Sequence, residues 1–252
     1  FLSPDSSMLI KIRAGHLEAD NQSSMNLTQS RIMLNKVRLS DGDVSLYMNV
    51  WRQKPTPPDS TSTPFYISLN QADITNMRFA MSMLPTIDTL TLIAGEMKLR
   101  NGVVDLRNND ITARLLSIDG GDARYIAPTP EYVAAHPAPA TDTVGSTPSA
   151  PMTIRGDSIS LSGFKALYAI KGTTPLPGFD ANYIEVKDVG IGMRHFYNQA
   201  SALRLPLTRL SATERSGLQI VEGSGLVALD ESGLQLDALE VQTLYSKATV
   251  TA

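Results

Sequence analysis

Histidine side chains could act as general bases or metal ligands, and the chain has three of them, at His16, His136 and His195. A nucleophilic or metal site needs histidine in a defined frame with carboxylates or a serine. The patterns HxH, HExxH and GxSxG do not occur in the sequence. We therefore predict no catalytic residue, no metal site and no cofactor, and we interpret the chain as a protein that is not an enzyme.

Acidic residues beside glycine occur at 41–43 (DGD) and 119–122 (DGGD). A calcium loop of the EF-hand type needs carboxylates spread over about twelve residues with a terminal glutamate, and neither stretch has this spacing. Asp-Gly pairs supply the positive φ angles of tight hairpins, so we interpret both stretches as turns. No pair of acidic residues suggests a β-rich hydrolase acting on envelope polymers.

The overall composition narrows the class of protein. The net charge is −3 and no long basic block occurs, which argues against a nucleic-acid partner. Cysteine is absent, which excludes disulfides and thiolate metal sites. No apolar run approaches the roughly 18 residues that span a bilayer. Because the sequence opens on FLSPDSS, we interpret the chain as part of a longer one, and any membrane anchor is expected outside it.

Apolar and polar residues alternate along most of the chain. Successive side chains of a strand point to opposite faces, so each run predicts a strand with one apolar and one polar face. Short turn signals between the runs predict hairpins joined into an antiparallel meander. Helical patterning is nearly absent, apart from a turn or two at 131–136. The fold predicted is all-β.

Three segments rich in proline interrupt the alternation, at 54–64, 127–151 and 172–178. Proline has no backbone N–H for a ladder, so these segments are predicted to be loops or linkers. The longest of them holds six prolines and divides the chain. We expect strand repeats over 1–126, a loop or linker over 127–151, and further strand repeats over 152–252.

The strands also repeat. Residues 9–21 resemble 89–101, and residues 32–43 resemble 111–122 with a shift of one position. A further pairing links 65–79 with 182–196. Repeated strand units stack along one direction and share a continuous apolar face.

Ten methionines are spread over these strands. Methionine is a flexible apolar side chain that adapts to varied shapes. Ordinary core packing explains the methionines, and a deformable surface for lipid acyl chains explains them as well. Burial of a methylene gains about 0.8 kcal/mol, so a sixteen-carbon chain gains on the order of 12 kcal/mol when it is fully buried.

The last third of the chain resembles a known family. It contains PGFDANYIEVKDVGIGM and, after a gap, LPLTRLSATERSGLQIVEGSGLVALDESGLQLDALEVQTLYSKATV. A GFD loop before an alternating strand, a strand ending in ERSGLQI and a closing SGLQLDALEVQT unit are similar to the TamB and AsmA-like family of translocation and assembly module proteins. The resemblance is best over 179–250 and looser over 87–126.

This resemblance implies a fold and a function. Members are envelope proteins of Gram-negative bacteria, held in the inner membrane by an N-terminal helix. They cross the periplasm as an elongated curved antiparallel sheet, a β-taco, whose concave face is an apolar groove. They are implicated in moving phospholipids to the outer membrane and in assembling outer-membrane proteins with a barrel partner, so acyl chains are the expected ligand here. The anchoring helix and the region that meets the barrel partner would lie outside this chain.

The groove candidates are the apolar residues of the alternating runs in the last third. Their polar neighbours, such as Glu185, Lys187, Gln219, Gln235 and Glu240, are expected to face water. The candidates are Ile184, Val186, Leu218, Ile220, Leu234, Leu236, Leu239 and Val241.

An alternative interpretation uses the same strands without a lipid groove. In this reading the chain is an extracellular or cell-surface adhesion or scaffold module, built as a closed sandwich or a solenoid. Inward-facing residues would then pack on each other, and the loops rich in proline and threonine also suit an extracellular module.

Overall fold

The structure is a computed structural model that describes residues 8–49, 64–84, 88–136, 151–199 and 202–252. These residues form thirteen strands and one short helix. The elements are β1 (Met8–Arg13), β2 (His16–Ala19), β3 (Ser24–Asn26), β4 (Arg31–Asn49), β5 (Tyr66–Leu84), β6 (Thr89–Asp105), β7 (Asp110–Ala127), α1 (Pro130–Ala135), β8 (Thr153–Ile170), β9 (Tyr183–Gln199), β10 (Ala202–Glu214), β11 (Gln219–Asp230), β12 (Gly233–Thr243) and β13 (Lys247–Val250).

One sheet contains all thirteen strands. Its order is β1-β4-β5-β6-β7-β8-β9-β10-β11-β12-β13, and β2 and β3 continue the β1 edge by pairing with β4. The sheet is long, curved and unclosed. The predicted all-β fold with an elongated curved sheet is therefore confirmed, and the strands before and after 127–151 belong to the same sheet.

The sheet is mixed rather than wholly antiparallel. β4 pairs with β5 in parallel, and β7 pairs with β8 in parallel, whereas the other strand pairs are antiparallel. A parallel pair needs a connection of about a dozen residues or more that returns the chain to the starting edge. The proline-rich segments 54–64 and 127–151 lie between these paired strands in the sequence. Residues 54–63 and 137–150 lie outside the described residues, so their prediction as loops stays a prediction. Hairpins alone, as predicted, do not account for the topology.

Strand direction defines two rims of the sheet. β4, β5, β7, β8, β10 and β12 run the same way, so they end at one rim, which we call the carboxyl rim, and begin at the other, the amino rim. Helix α1 follows β7 at the carboxyl rim. Its first turn is capped by Thr129, whose hydroxyl accepts a hydrogen bond of 3.2 Å from the Tyr132 backbone N–H. The short helix predicted at 131–136 is present, and residues 172–178 form a loop as predicted.

Two lines of bends cross the long strands. The first line joins Asp41, Asn76, Gly95, Gly120 and Gly163, which lie opposite one another in register but are skipped by the pairing. All of these except Gly95 have positive φ, between 53° and 67°. Asn, Asp and Gly adopt this backbone conformation most readily, and such a residue bends a strand and shifts its alternation by one position.

The second line crosses the same strands nearer the amino rim. Its members, one on each strand from β4 to β9, are Asn35, Asn70, Asn101, Arg114, Asp157 and His195. Asn101 has φ 49° and His195 has φ 58°. An amide ladder begins this line, since Asn70 Nδ2 donates to Asn35 Oδ1 at 2.9 Å. Each long strand is thus divided into three segments, and the sheet bends between them.

The repeat at offset 80 corresponds to equivalent parts of the sheet. Residues 9–21 cover β1 and β2, residues 89–101 fall in β6, and both groups run from the carboxyl to the amino rim. The matched Gly15 and Gly95 both lie on the first bend line, since the Gly15 N–H donates to the Asp41 carbonyl at 3.1 Å. The pairing of 65–79 with 182–196 is wrong as a repeat, because β5 and β9 run in opposite directions.

Candidate functional site

A continuous apolar face covers one side of the sheet. Residues that lie directly opposite one another on neighbouring strands share a face, so the register assigns each side chain to a side. On β5, Phe79 lies between Val44 and Leu92; farther along the sheet, Leu161 on β8 lies between Ile118 and Ile191. The same logic places these central residues on that side, which we call the apolar face: Ile67, Leu69, Ala72, Ile74, Met77, Met81, Leu90, Ala94, Met97, Leu99, Val104, Ile111, Ala113, Leu116, Ala123, Tyr125, Ile154, Ile159, Phe164, Ala166, Tyr168, Val186, Val189 and Met193.

The bends keep this face apolar along the whole strand. Along β5, consecutive apolar residues differ by two in residue number within each segment. They differ by three where a bend intervenes, between Leu69 and Ala72 and between Ile74 and Met77. Without the bends a strict alternation would turn half of these side chains to the other side. The positive φ residues therefore maintain the apolar face as well as the curvature.

The opposite side, which we call the polar face, is held by ion pairs between neighbouring strands. Arg100 Nη2 lies 2.6 Å from Asp73 Oδ1, Arg78 Nη1 lies 2.8 Å from Asp43 Oδ2, and Arg155 pairs with Asp110. The hydrogen bond from Gln71, with Arg100 adding, lowers the pKa of Asp73 below its usual value. These groups stay in water and line up across the strands, so the two faces differ sharply in polarity.

The buried apolar cluster is a single layer. Its centre consists of Ala94, Ile118, Phe164 and Val189, which are between 2% and 8% exposed. All of them lie on the apolar face of four neighbouring strands, and the half-buried residues packed around them lie on that face too. A sandwich would bury such residues between two sheets. Here they contact one another side by side within one sheet.

Nothing in the described part of the chain covers this face. No large side chain there is less than 2% exposed. Towards the two ends of the sheet the apolar face is open: Ile12 is 75% exposed, Leu17 64% and Leu234 60%. An exposed apolar surface of this continuity usually marks a binding surface.

The room for an added side chain differs among the glycines on and near the first bend line. On the apolar face, a Cβ added at Gly121 would overlap the Phe164 ring and the Ile93 carbonyl oxygen, and one at Gly42 would overlap the Met77 side chain. At Gly120, the neighbouring position on the line itself, an added Cβ has nothing within 4 Å. An added Cβ would also overlap the Asp119 carbonyl oxygen at Gly95 on the same line, and the Arg209 and Ser211 side chains at Gly190 on the polar face.

The predicted groove residues take the following places. Ile184 lies opposite Tyr168, and Val186 lies opposite Ala166, both on the apolar face of β9. The remaining strand residues are also on this face: Ile220 on β11 and Leu234, Leu236, Leu239 and Val241 on β12. The expected polar neighbours Glu185, Lys187, Gln219, Gln235 and Glu240 fall on the polar face. Contact of any of these residues with lipid stays a prediction.

Leu218 differs from the other candidates because it lies in the turn between β10 and β11. Its side chain is 52% exposed, and its carbonyl accepts a 2.8 Å hydrogen bond from the Glu214 N–H. Glu214 itself is only 7% exposed. Its Oε2 accepts hydrogen bonds from the hydroxyl and backbone N–H of Ser216, which lower the pKa of Glu214, while Oε1 has no partner among the described residues.

The three histidines lie far apart in the sheet and its connections. His16 is exposed on β2, His195 is exposed on the second bend line, and His136 ends α1 with its ring stacked on Tyr132 at 4.1 Å between centroids. Within the described ranges no group of three or more histidine and acidic side chains could hold a metal ion. The same ranges contain no helix with the length and apolar character that a membrane crossing requires.

The sequence analysis assigned groove residues at the β9–β12 end of the sheet. It did not assign the central residues of the apolar face to the site. The best-packed part of the face is on β6 to β9, around Phe164 and Ile118. A signal for it exists in the sequence: apolar spacing of three instead of two recurs beside Asn, Asp and Gly. That spacing marks a bend and not the end of a strand.

Comparisons of the chain with protein-family models, with curated proteins and with solved structures found no match.

Proposed function

We propose that this chain is a segment of a periplasmic envelope-biogenesis protein, and that its apolar face is the concave wall of a groove that binds or conducts phospholipid acyl chains between the inner and outer membranes. The observation that carries the proposal is the continuous apolar face of one unclosed sheet, uncovered in the described part of the chain.

An acyl chain fits this surface by its chemistry. The face offers aliphatic and methionine side chains without a fixed pattern of hydrogen-bonding groups, which suits a ligand that varies in length and unsaturation. Each methylene that leaves water gains about 0.8 kcal/mol, so a sixteen-carbon chain covered over half its surface would gain about 6 kcal/mol. Binding of this kind needs no catalytic residue, and we propose a role without catalysis.

The wider role rests on the resemblance to the TamB and AsmA-like family. It comprises periplasmic location, attachment to the inner membrane through a helix outside this chain, and support of outer-membrane protein assembly through a barrel partner. The groove proposal stands on the geometry and does not need these statements.

Lipid binding is tested by mixing the chain with vesicles of phosphatidylethanolamine and phosphatidylglycerol, separating it from them and quantifying bound phospholipid by mass spectrometry. Leu236→Glu places a charge on the apolar face, and its neighbour Gln235→Glu places the same charge on the polar face. We expect bound lipid in the unchanged chain and in Gln235→Glu, and a several-fold loss in Leu236→Glu. Reproducible absence of phospholipid, or equal binding by the two variants, would refute the proposal. Binding of an amphipathic peptide in place of lipid would favour a scaffold role.

A further inference from the structure

We infer that a lipid in the proposed groove lies with its headgroup at the carboxyl rim, against the Tyr125–Tyr168 pair and Asp88, and that this position favours phospholipids whose headgroup carries an ammonium. This inference rests on the proposed function and adds the orientation and headgroup class of the ligand.

The two ends of the apolar face differ in polarity where β7 and β8 meet. At the carboxyl rim, Tyr125 and Tyr168 lie directly opposite each other, with ring centroids 6.0 Å apart and planes 25° apart. At the amino rim of the same strands, the corresponding positions are the aliphatic Ile111 and Ile154. Tyrosine prefers the boundary between apolar and aqueous surroundings because its ring is apolar and its hydroxyl needs a polar partner.

A carboxylate lies beside the tyrosine pair. Asp88 directly precedes β6, and its carbonyl accepts a 3.1 Å hydrogen bond from the Met83 N–H. Burial raises the pKa of the Tyr125 phenol, and both the charge of Asp88 and a side-chain hydrogen bond with it add to this. The Asp88 Oδ1 atom is buried without a hydrogen-bond partner among the described residues. A buried carboxylate oxygen without a partner is costly, so a cationic group of a ligand would be stabilised there.

The other carboxylates with a buried oxygen lacking a partner agree with this polarity. Glu214, 7% exposed, lies on the carboxyl rim and has such an oxygen too. Asp110, at the amino rim, has one as well, but it lies on the polar face and pairs with Arg155 at 2.7 Å. Asp88 and Glu214 thus lie at the same rim, and the charge of the neighbouring Arg215 partly offsets that of Glu214.

The apolar face carries small side chains next to the rings. Below Tyr125 and Tyr168, towards the bend, the next residues on this face are Ala123 and Ala166, which lie opposite each other, before the Phe164 ring. Both side chains are small, and we place the glycerol end of the lipid over them. An ammonium in this position reaches the tyrosine faces by cation–π attraction and Asp88 by charge.

Photo-crosslinking with the whole chain tests the orientation. The probes are two phosphatidylethanolamines, one with a diazirine near the glycerol and the other with a diazirine at the acyl terminus. We expect the first to label peptides around 123–127 and 166–170, and the second to label peptides around 115–118 and 158–161, since an extended sixteen-carbon chain spans about six strand residues. Equal labelling of both regions by both probes, or the reverse distribution, would overturn the orientation while leaving lipid binding intact. No labelling by either probe would overturn the proposed function as well.

Headgroup choice is tested with vesicles containing equal phosphatidylethanolamine and phosphatidylglycerol. The ratio of the two lipids bound is expected to fall about threefold to tenfold in Asp88→Asn, which corresponds to the loss of one charge contact. Asp119→Asn is the matched control, since Asp119 is exposed on the polar face and accepts a hydrogen bond from Ser162. An unchanged ratio in Asp88→Asn, or an equal fall in Asp119→Asn, would overturn the role of Asp88.

Discussion

Replacing Gly121 by alanine tests how tightly the apolar face is packed at the first bend. The added methyl group would meet the Phe164 ring, which can shift, and the Ile93 carbonyl oxygen, which belongs to the backbone and cannot rotate away. Overpacking of this kind costs about 1–3 kcal/mol. Because a backbone atom is involved, we expect a loss near the upper end, about 3 kcal/mol in the free energy of unfolding.

The adjacent Gly120 gives a matched control on the bend line itself. An added Cβ there has nothing within 4 Å, and the residue has φ 67°. Asparagine tolerates this conformation, and Asn76 already adopts φ 53° on the same line. Gly120→Asn should therefore cost less than about 1 kcal/mol.

Urea unfolding followed by far-ultraviolet circular dichroism measures both variants against the unchanged chain. The expected result is a large fall in the unfolding midpoint for Gly121→Ala and a small change for Gly120→Asn, with similar slopes. If Gly121→Ala costs no more than Gly120→Asn, the apolar face is not tightly packed at Gly121, and the reasoning fails.

Two further predictions concern the stability of the sheet. Phe164→Ala should lower the free energy of unfolding by about 3 kcal/mol, because Phe164 is 3% exposed at the centre of the apolar cluster. The control Phe179→Ala, at a side chain 64% exposed, should change it by less than about 0.5 kcal/mol. Similar losses in urea titrations of the two variants would contradict the assignment of the core. Acid should also destabilise the fold, because hydrogen bonds from Gln71 and from Ser216 hold the pKa values of Asp73 and Glu214 below their usual range. Carboxyls of this kind stabilise the folded state above their unfolded pKa and lose that contribution as the pH falls through the folded value, so the urea midpoint should be level near pH 6 and fall below about pH 4; a midpoint that rises on acidification would contradict this.

The class of fold and the polarity of its faces could be predicted from alternation alone. Runs such as Ile184–Val186 have few interpretations other than a strand with one apolar side. Strand direction could not be predicted in this way. A short turn signal indicates a hairpin, but a long connection does not indicate at which rim the next strand begins. The parallel pairing of β4 with β5 and of β7 with β8 was missed for this reason.

The alternation of apolar and polar residues identified the strands but could not identify the bends within them. A residue such as Asn76 or Asn101 in the left-handed conformation shifts the alternation by one, so a single strand of seventeen to nineteen residues reads as several short ones. The sequence therefore suggested turns at 41–43 and 119–122, where the structure has bends within β4 and β7. The central part of the apolar face depends on these bends, which is why the sequence located only its β9–β12 end.

Contact between acyl chains and the apolar face is the central claim, and fluorescence quenching by brominated acyl chains tests it most directly. Trp51 is the single tryptophan, so a Trp51→Phe background allows one reporter at a time. Leu161→Trp places it on the apolar face, and Ser160→Trp places it one residue away on the polar face. We predict strong quenching of the Leu161→Trp reporter and little quenching of the Ser160→Trp reporter; equal quenching of both, or quenching of neither, would contradict a lipid-binding groove.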